Sequence, residues 1–197
     1  MSVVIGIDPS LTGTGIVVLR NGEVELAEAT KSRPELGIIE RVKLIRNRIL
    51  EIEADLSDDK GRKYQSPALM VIEGFSYGSK GRSVFDIAYL GWRIREELER
   101  LRSEDGTPWI EVPPTQLKKF STGKGTANKE IILQQVYKRW EYETDNNNIA
   151  DAFVLAKIGE AYLQDNYKPD DLNLFQLEVI SNLKGEKPAK KPRKKVK

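Results

Sequence analysis

Two residue types are missing from this 197-residue chain: it has no cysteine and no histidine. Without cysteine there is neither a disulfide framework nor a thiolate metal site, a composition that suits a reducing compartment. Without histidine the usual general base, the usual zinc ligand and the Ser/His and Cys/His nucleophile pairs are gone. Any hydrolytic chemistry must rest on carboxylates and lysines, and carboxylates suit hard cations. Long apolar runs are missing too. None approaches the roughly 20 residues that span a bilayer, and no basic leader precedes an apolar stretch at Met1-Ser2-Val3-Val4-Ile5. The expectation is a soluble, cytoplasmic protein with no membrane association.

The net charge of +2 hides an asymmetry. Residues 184–197 carry eight Lys/Arg against one Glu, or +7, which leaves −5 for residues 1–183. A segment of that composition buries no apolar surface and is expected to be a disordered basic tail, either a solubilising end or a phosphate-binding arm.

What remains reads as one α/β domain over residues 1–165, with an extension over 166–183. The apolar run 3–7, then Ile16 to Leu19, then Val24 to Ala27 predict two or three antiparallel strands, with Asn21-Gly22 as a type I′ hairpin turn between the last two. From Pro34 to Leu56 the residues Leu36, Ile39, Val42, Ile45, Ile49, Ile52 and Leu56 recur at helical spacing. After a polar loop over 57–67, Leu69-Met70-Val71-Ile72 predicts a buried central strand ending at Glu73. Ile87, Leu90, Ile94, Leu98 and Leu101 mark a helix over 83–102. Trp109 to Val112 predicts a short strand closed by Pro113-Pro114, followed by a Lys- and Gly-rich loop and by helices over 127–140 and 148–164. The predicted order is βββ-α-β-α-β-α-α: a mixed sheet flanked by helices, with functional residues at the strand ends.

Three acids fall at such edges. Asp8 terminates the first strand, Glu73 terminates the central strand, and Asp151 stands in Ile149-Ala150-Asp151-Ala152-Phe153 at a helix start. Singly, an acid at a strand end is an ordinary feature. An acid directly after four apolar strand residues is costly if it points inward alone, so such acids reach solvent or gather around a cation.

Four ordered blocks carry a resemblance: GIDPSLTGTGIVV, VIEGFSYG, VPPTQLKKFSTGKGTANKEII and NIADAFVLA, spread over residues 3 to about 160. Together they resemble the RuvC-like Holliday-junction resolvases, most closely the phage-type members. The resemblance implies a ribonuclease-H-like fold and a homodimer acting on branched DNA. It also implies two Mg²⁺ or Mn²⁺ ions per site and paired symmetric nicks across a four-way junction. Asp8, Glu73 and Asp151 match the acids of the family's motifs. Such carboxylates hold two ions about 3.5 to 4 Å apart for in-line displacement, and no covalent nucleophile is needed. Lys118 and Lys129 fall where the family places basic residues near the scissile phosphate. Lys118, Lys119 and Lys124 cluster around Ser121, Thr122, Gly123 and Gly125, a loop suited to holding phosphate. Phe75 and Tyr77 are candidates to wedge between bases at a junction centre, the alternative being that both pack onto the sheet.

One departure stands out. Where the family's last helix carries an acid or a His three or four residues before its final Asp, this chain has Asn148 and Asn147. As a metal ligand Asn148 offers a carbonyl oxygen without charge, the nearest remaining acid is Asp145, and the run Asn146-Asn147-Asn148 doubles as a helix N-cap. A protein that binds branched DNA without cutting it therefore stays open, as does, more remotely, an actin-like or sugar-kinase ATPase, whose first phosphate loop GIDPSLTGTGIVV also resembles.

Overall fold

The computed structural model describes residues 2–31, 33, 35–57, 67–75, 83–164 and 172–186. The first three strands are β1 (Val3–Asp8), β2 (Thr14–Arg20) and β3 (Glu23–Thr30), followed by the helix α1 (Ile38–Ser57). Then come β4 (Leu69–Glu73), α2 (Ser83–Asp105) and β5 (Trp109–Val112). Four helices complete the chain: α3 (Pro114–Thr122), α4 (Lys129–Trp140), α5 (Asn147–Leu163) and α6 (Leu174–Leu183).

The strands form one mixed sheet in the order β3-β2-β1-β4-β5. The pairs β1/β2 and β2/β3 are antiparallel, and β1/β4 and β4/β5 are parallel. The β2–β3 turn is the predicted one: Asn21 and Gly22 both have positive φ, 51° and 90°, as a type I′ turn requires.

Strand alternation divides the core between two faces. Val3, Ile5 and Ile7 of β1 with Met70 and Ile72 of β4 pack under α1 and α2, through Val42, Ile45, Ile49, Leu90, Ile94 and Leu98. Val4, Leu69 and Val71 look the other way, into a core built from α3 to α6. Central to that second face is α5, buried almost all round from Ala150 to Ala161, which accounts for its weak amphipathic pattern.

The structure differs from the sequence-based expectation in four places. Residues 114–122 are a helix, not a loop. Pro114 at the helix start has its φ preset, Leu117 and Phe120 bury one face three residues apart, and Gly123 closes the helix in the left-handed region at φ 84°. The element order is accordingly βββ-α-β-α-β followed by four helices, and the last of these, α6, sends Val179 and Ile180 into the α5 core. Helix α1 starts at Ile38, and the partly buried residue in its first turn is Ile38, with Ile39 55 % exposed. Ile87 on α2 is likewise at the surface. Among the described residues no helix is long and apolar enough to cross a membrane. Of the basic tail, residues 187–197 lie outside the described residues.

Candidate active site

Strands β1 and β4 run parallel with Ile7 opposite Ile72. The next residue of each, Asp8 and Glu73, therefore ends its strand at the same edge of the sheet. Alternation gives both the parity of Val4, Leu69 and Val71, so they share the sheet face that α5 covers.

Helix α5 reaches that edge because the sheet beneath it has glycine where the two meet. A Cβ on Gly6 would stand 2.1 Å from the carbonyl oxygen of Ala152, and one on Gly15 2.0 Å from that of Asn148. Backbone thus lies on backbone. The N-terminal end of α5 is fixed by Asn146, whose side chain accepts hydrogen bonds from the amides of Asn148 and Ile149. Asp151, in the second turn, is carried to the pair on the strands.

The three acids act on one another through their charge. Asp8 is buried, 6 % exposed, and shares a side-chain hydrogen bond with Glu73. Burial, then the charges of Glu73 and Asp151, push the Asp8 carboxyl well above its ordinary range. Burial raises Glu73 too, against the hydrogen bond from Asp8 and the charges of Lys118 and Lys129. Asp151 is pushed up to about 7 by burial and the Glu73 charge, with Lys129 and Lys118 opposing. One oxygen of Asp151, Oδ1, is buried without a hydrogen-bond partner. Three buried carboxyls at one sheet edge, one with an orphaned oxygen, repel one another, and a bound cation would offset that repulsion. Among the described residues no three acidic side chains are drawn together tightly enough to enclose an ion as they stand. The donor set is nonetheless all oxygen and anionic, and it fits a hard divalent cation.

The other expected site residues fall into two groups. Lys118 on α3 and Lys129 at the start of α4 act on Glu73 and Asp151 through their charge, so α3 and α4 bring them to the acids. Lys119, the next residue on α3, turns away and pairs with Glu178 of α6 at 2.6 Å. Lys124 is exposed in the turn after α3, where its amide donates to Thr122 Oγ1. Asn148 donates from Nδ2 to the carbonyl of Gly13 at 2.6 Å, tying α5 to the β1–β2 turn. Asp145 is exposed ahead of α5 and is not among the groups that shift the three acids. Phe75 is partly buried against Trp92, with ring centroids 5.4 Å apart. Tyr77 lies outside the described residues. Two further residues bear on the site: Arg95, which donates to the Glu73 carbonyl, and Glu111, which pairs with Arg95. Their signal, a charge inside the apolar stripe of α2 and another within β5, is visible only once the elements are placed.

A mixed five-stranded sheet in this order is a ribonuclease-H-like fold, here with acids at the ends of β1 and β4 and on the covering helix. Thermus thermophilus RuvC has the same fold, with a TM-score of 0.61 at 21% identity over 95% of this chain and 99% of that one. The structure of T. thermophilus RuvC in complex with Holliday junction substrate gives 0.62 at 23% identity over 96% and 100%. In sequence, the chain is 28% identical over 160 residues to the crossover junction endodeoxyribonuclease RuvC of Prochlorococcus marinus (strain MIT 9303), covering 79% of this chain and 96% of that relative. The RuvC of Synechococcus sp. (strain WH7803) matches with the same identity and coverage. No protein-family model matches the chain. In sequence and in fold the chain is similar to these RuvC proteins.

Proposed function

We propose that this chain is a structure-selective endonuclease that resolves Holliday junctions and related branched DNA by metal-dependent phosphodiester hydrolysis. The observation that carries the reading is the convergence of Asp8, Glu73 and Asp151 from β1, β4 and α5 on one sheet edge, with Lys118 and Lys129 acting on them. The relatives' names and the junction complex of the Thermus protein support the substrate.

Asp8, Glu73 and Asp151 would hold the cations, with Asn148 as a further neutral oxygen donor beside them. The complement we propose is two ions of Mg²⁺ or Mn²⁺, which when bound would supply Lewis-acid stabilisation of the charge on the phosphate and leaving oxygens. Asp8 and Glu73 must both be ionised to act as ligands, and their burial keeps bulk water from competing for the site. Lys118 and Lys129 place positive charge where a phosphate approaches, and Lys124 extends it along the turn after α3. Tyr77 is the proposed wedge at the junction centre, on the strength of its place in the sequence.

A four-way junction offers two equivalent strands to cut, so a two-fold homodimer with paired sites fits it. On α2, Phe85, Tyr89 and Trp92 are 81 %, 39 % and 64 % exposed and follow one another at helical spacing. A second copy would cover this stripe, with α1 beside it.

The deciding experiment incubates a synthetic four-way junction and a plain duplex with the protein and Mg²⁺ or Mn²⁺. Expected are symmetric nicks in the junction alone, abolished by Asp8→Asn while junction binding is kept. Binding without cutting at any metal concentration would leave a junction-binding protein that is not a nuclease.

A further inference from the structure

The segment that leaves the sheet after β4, Glu73-Gly74-Phe75, is held at each of its residues. The amide of Gly74 donates to the carbonyl of Val112 on β5 at 2.8 Å. Arg95 of α2, 5 % exposed, donates from Nη2 to the main-chain carbonyl of Glu73 at 3.0 Å. Its Nη1 donates to the carbonyl of Gly91 at 3.0 Å and its Nε to Glu111 Oε2 at 2.8 Å. The same guanidinium lies over the ring of Phe75, 4.1 Å from its centroid. Phe75 fits there because residue 91 is glycine: a Cβ at that position would stand 2.6 Å from Phe75 Cε1.

Burying a guanidinium is costly, and an apolar side chain of similar volume would fill this place at less cost. What an apolar residue cannot do is fix the carbonyl of Glu73 and cover the face of Phe75 at once, which the planar fork of arginine does. We propose that Arg95, oriented by Glu111, is a positioning residue that clamps the root of the Glu73–Phe75 segment. Glu73 is thereby held toward Asp8 for cation binding, and Phe75 is the anchor of that root rather than a side chain free to enter DNA. The inference rests on the nuclease reading through the part that reading gives to Glu73.

The test compares full-length Arg95→Gln, Arg95→Lys, Glu111→Gln and Gly91→Ala with the wild type. Mn²⁺ binding is measured by calorimetry, and four-way-junction nicking is measured in single turnover. Arg95→Gln is expected to weaken Mn²⁺ binding and slow nicking by roughly 10- to 100-fold, as loss of a partner that orients a ligand does. Junction affinity without metal stays within about two-fold, because DNA is held by other groups. Arg95→Lys keeps the charge but cannot reach the three acceptors together, so it does not rescue. Glu111→Gln and Gly91→Ala change metal affinity and nicking in the same direction by less, and they decide the matter if Arg95→Gln does not fold. Wild-type metal affinity and nicking per folded molecule in Arg95→Gln and Glu111→Gln would overturn the clamp. A wild type that binds Mn²⁺ in an Arg95-dependent way yet nicks no junction would sink the nuclease reading and leave the clamp standing, whereas no Mn²⁺ binding at all would sink both.

Discussion

Replacing Asp151 by asparagine should destroy cleavage and at the same time stabilise the metal-free protein. In the folded chain the Asp151 carboxyl is pushed from its usual 3.8 up to about 7, first by burial and then by Glu73. Between those two values the folded state binds a proton that the unfolded state has lost, so stability falls as pH rises through this window. Above both values the charge costs the fold about 4 kcal/mol, and near pH 4 the cost has shrunk to less than about 1 kcal/mol. Asn keeps the shape and removes the charge; allowing for local relaxation, a gain of about 2 to 4 kcal/mol is expected at pH 8. At about 2–4 °C per kcal/mol for a chain of this length, Tm should rise by at least about 4 °C at pH 8 and little at pH 4. The assay is thermal unfolding in EDTA at both pH values, repeated with Mn²⁺, which should raise the wild-type Tm more than that of the variant. A gain equal at the two pH values, or an Asn variant less stable at pH 8, would refute the claim that the acids repel one another at this sheet edge.

Three further outcomes follow from the same geometry. Lys118→Ala should slow single-turnover nicking by at least about 10-fold if, as proposed, its charge faces the reacting phosphate, while junction affinity measured by gel shift falls less. Trp92→Glu, at a position 64 % exposed on α2, should shift the proposed dimer to monomer in sedimentation at micromolar concentration; an unchanged sedimentation coefficient would remove α2 from the proposed interface. Asn148→Asp exchanges the 2.6 Å donation to the Gly13 carbonyl for an anion facing it, so the metal-free variant should lose about 1–3 kcal/mol in denaturant unfolding. Mn²⁺ should restore more of that loss than it adds to the wild type, because the new charge is an extra ligand.

Charge and alternation were legible in the sequence; closeness was not. Asp8 and Glu73 could be read as strand-end acids because apolar runs precede them, and parallel pairing of their strands then places them side by side. The α3 helix was obscured because Lys and Gly crowd residues 118 to 125, and composition there outweighed the two apolar residues, Leu117 and Phe120, that bury its face. Once α3 is a helix, Lys118 and Lys119 cannot both face the acids, since adjacent helical residues point about 100° apart. Lys118 serves the site and Lys119 ties down α6. Arg95 escaped notice for a different reason. In a helix whose surface carries many Arg–Glu pairs, one more arginine is unremarkable until burial and three acceptors single it out.

The glycines on either side of Asp8 explain why the site exists at all. Glycine inside a strand weakens it and normally has a reason, such as close approach of another backbone. Here Gly6 meets Ala152 and Gly15 meets Asn148, so both lie under the first turns of α5, on either side of the residue that Asp151 must reach. Any side chain at either position would lift α5 from the sheet by the thickness of a methyl group and carry Asp151 with it. The Gly-Ile-Asp and Thr-Gly-Thr-Gly stretches therefore have no need to cradle a phosphate, as they would in an ATPase: their spacing is set by a helix lying directly on β1 and β2. The first motif and the last are a single packing contact, and the acid that each carries meets the other because of it.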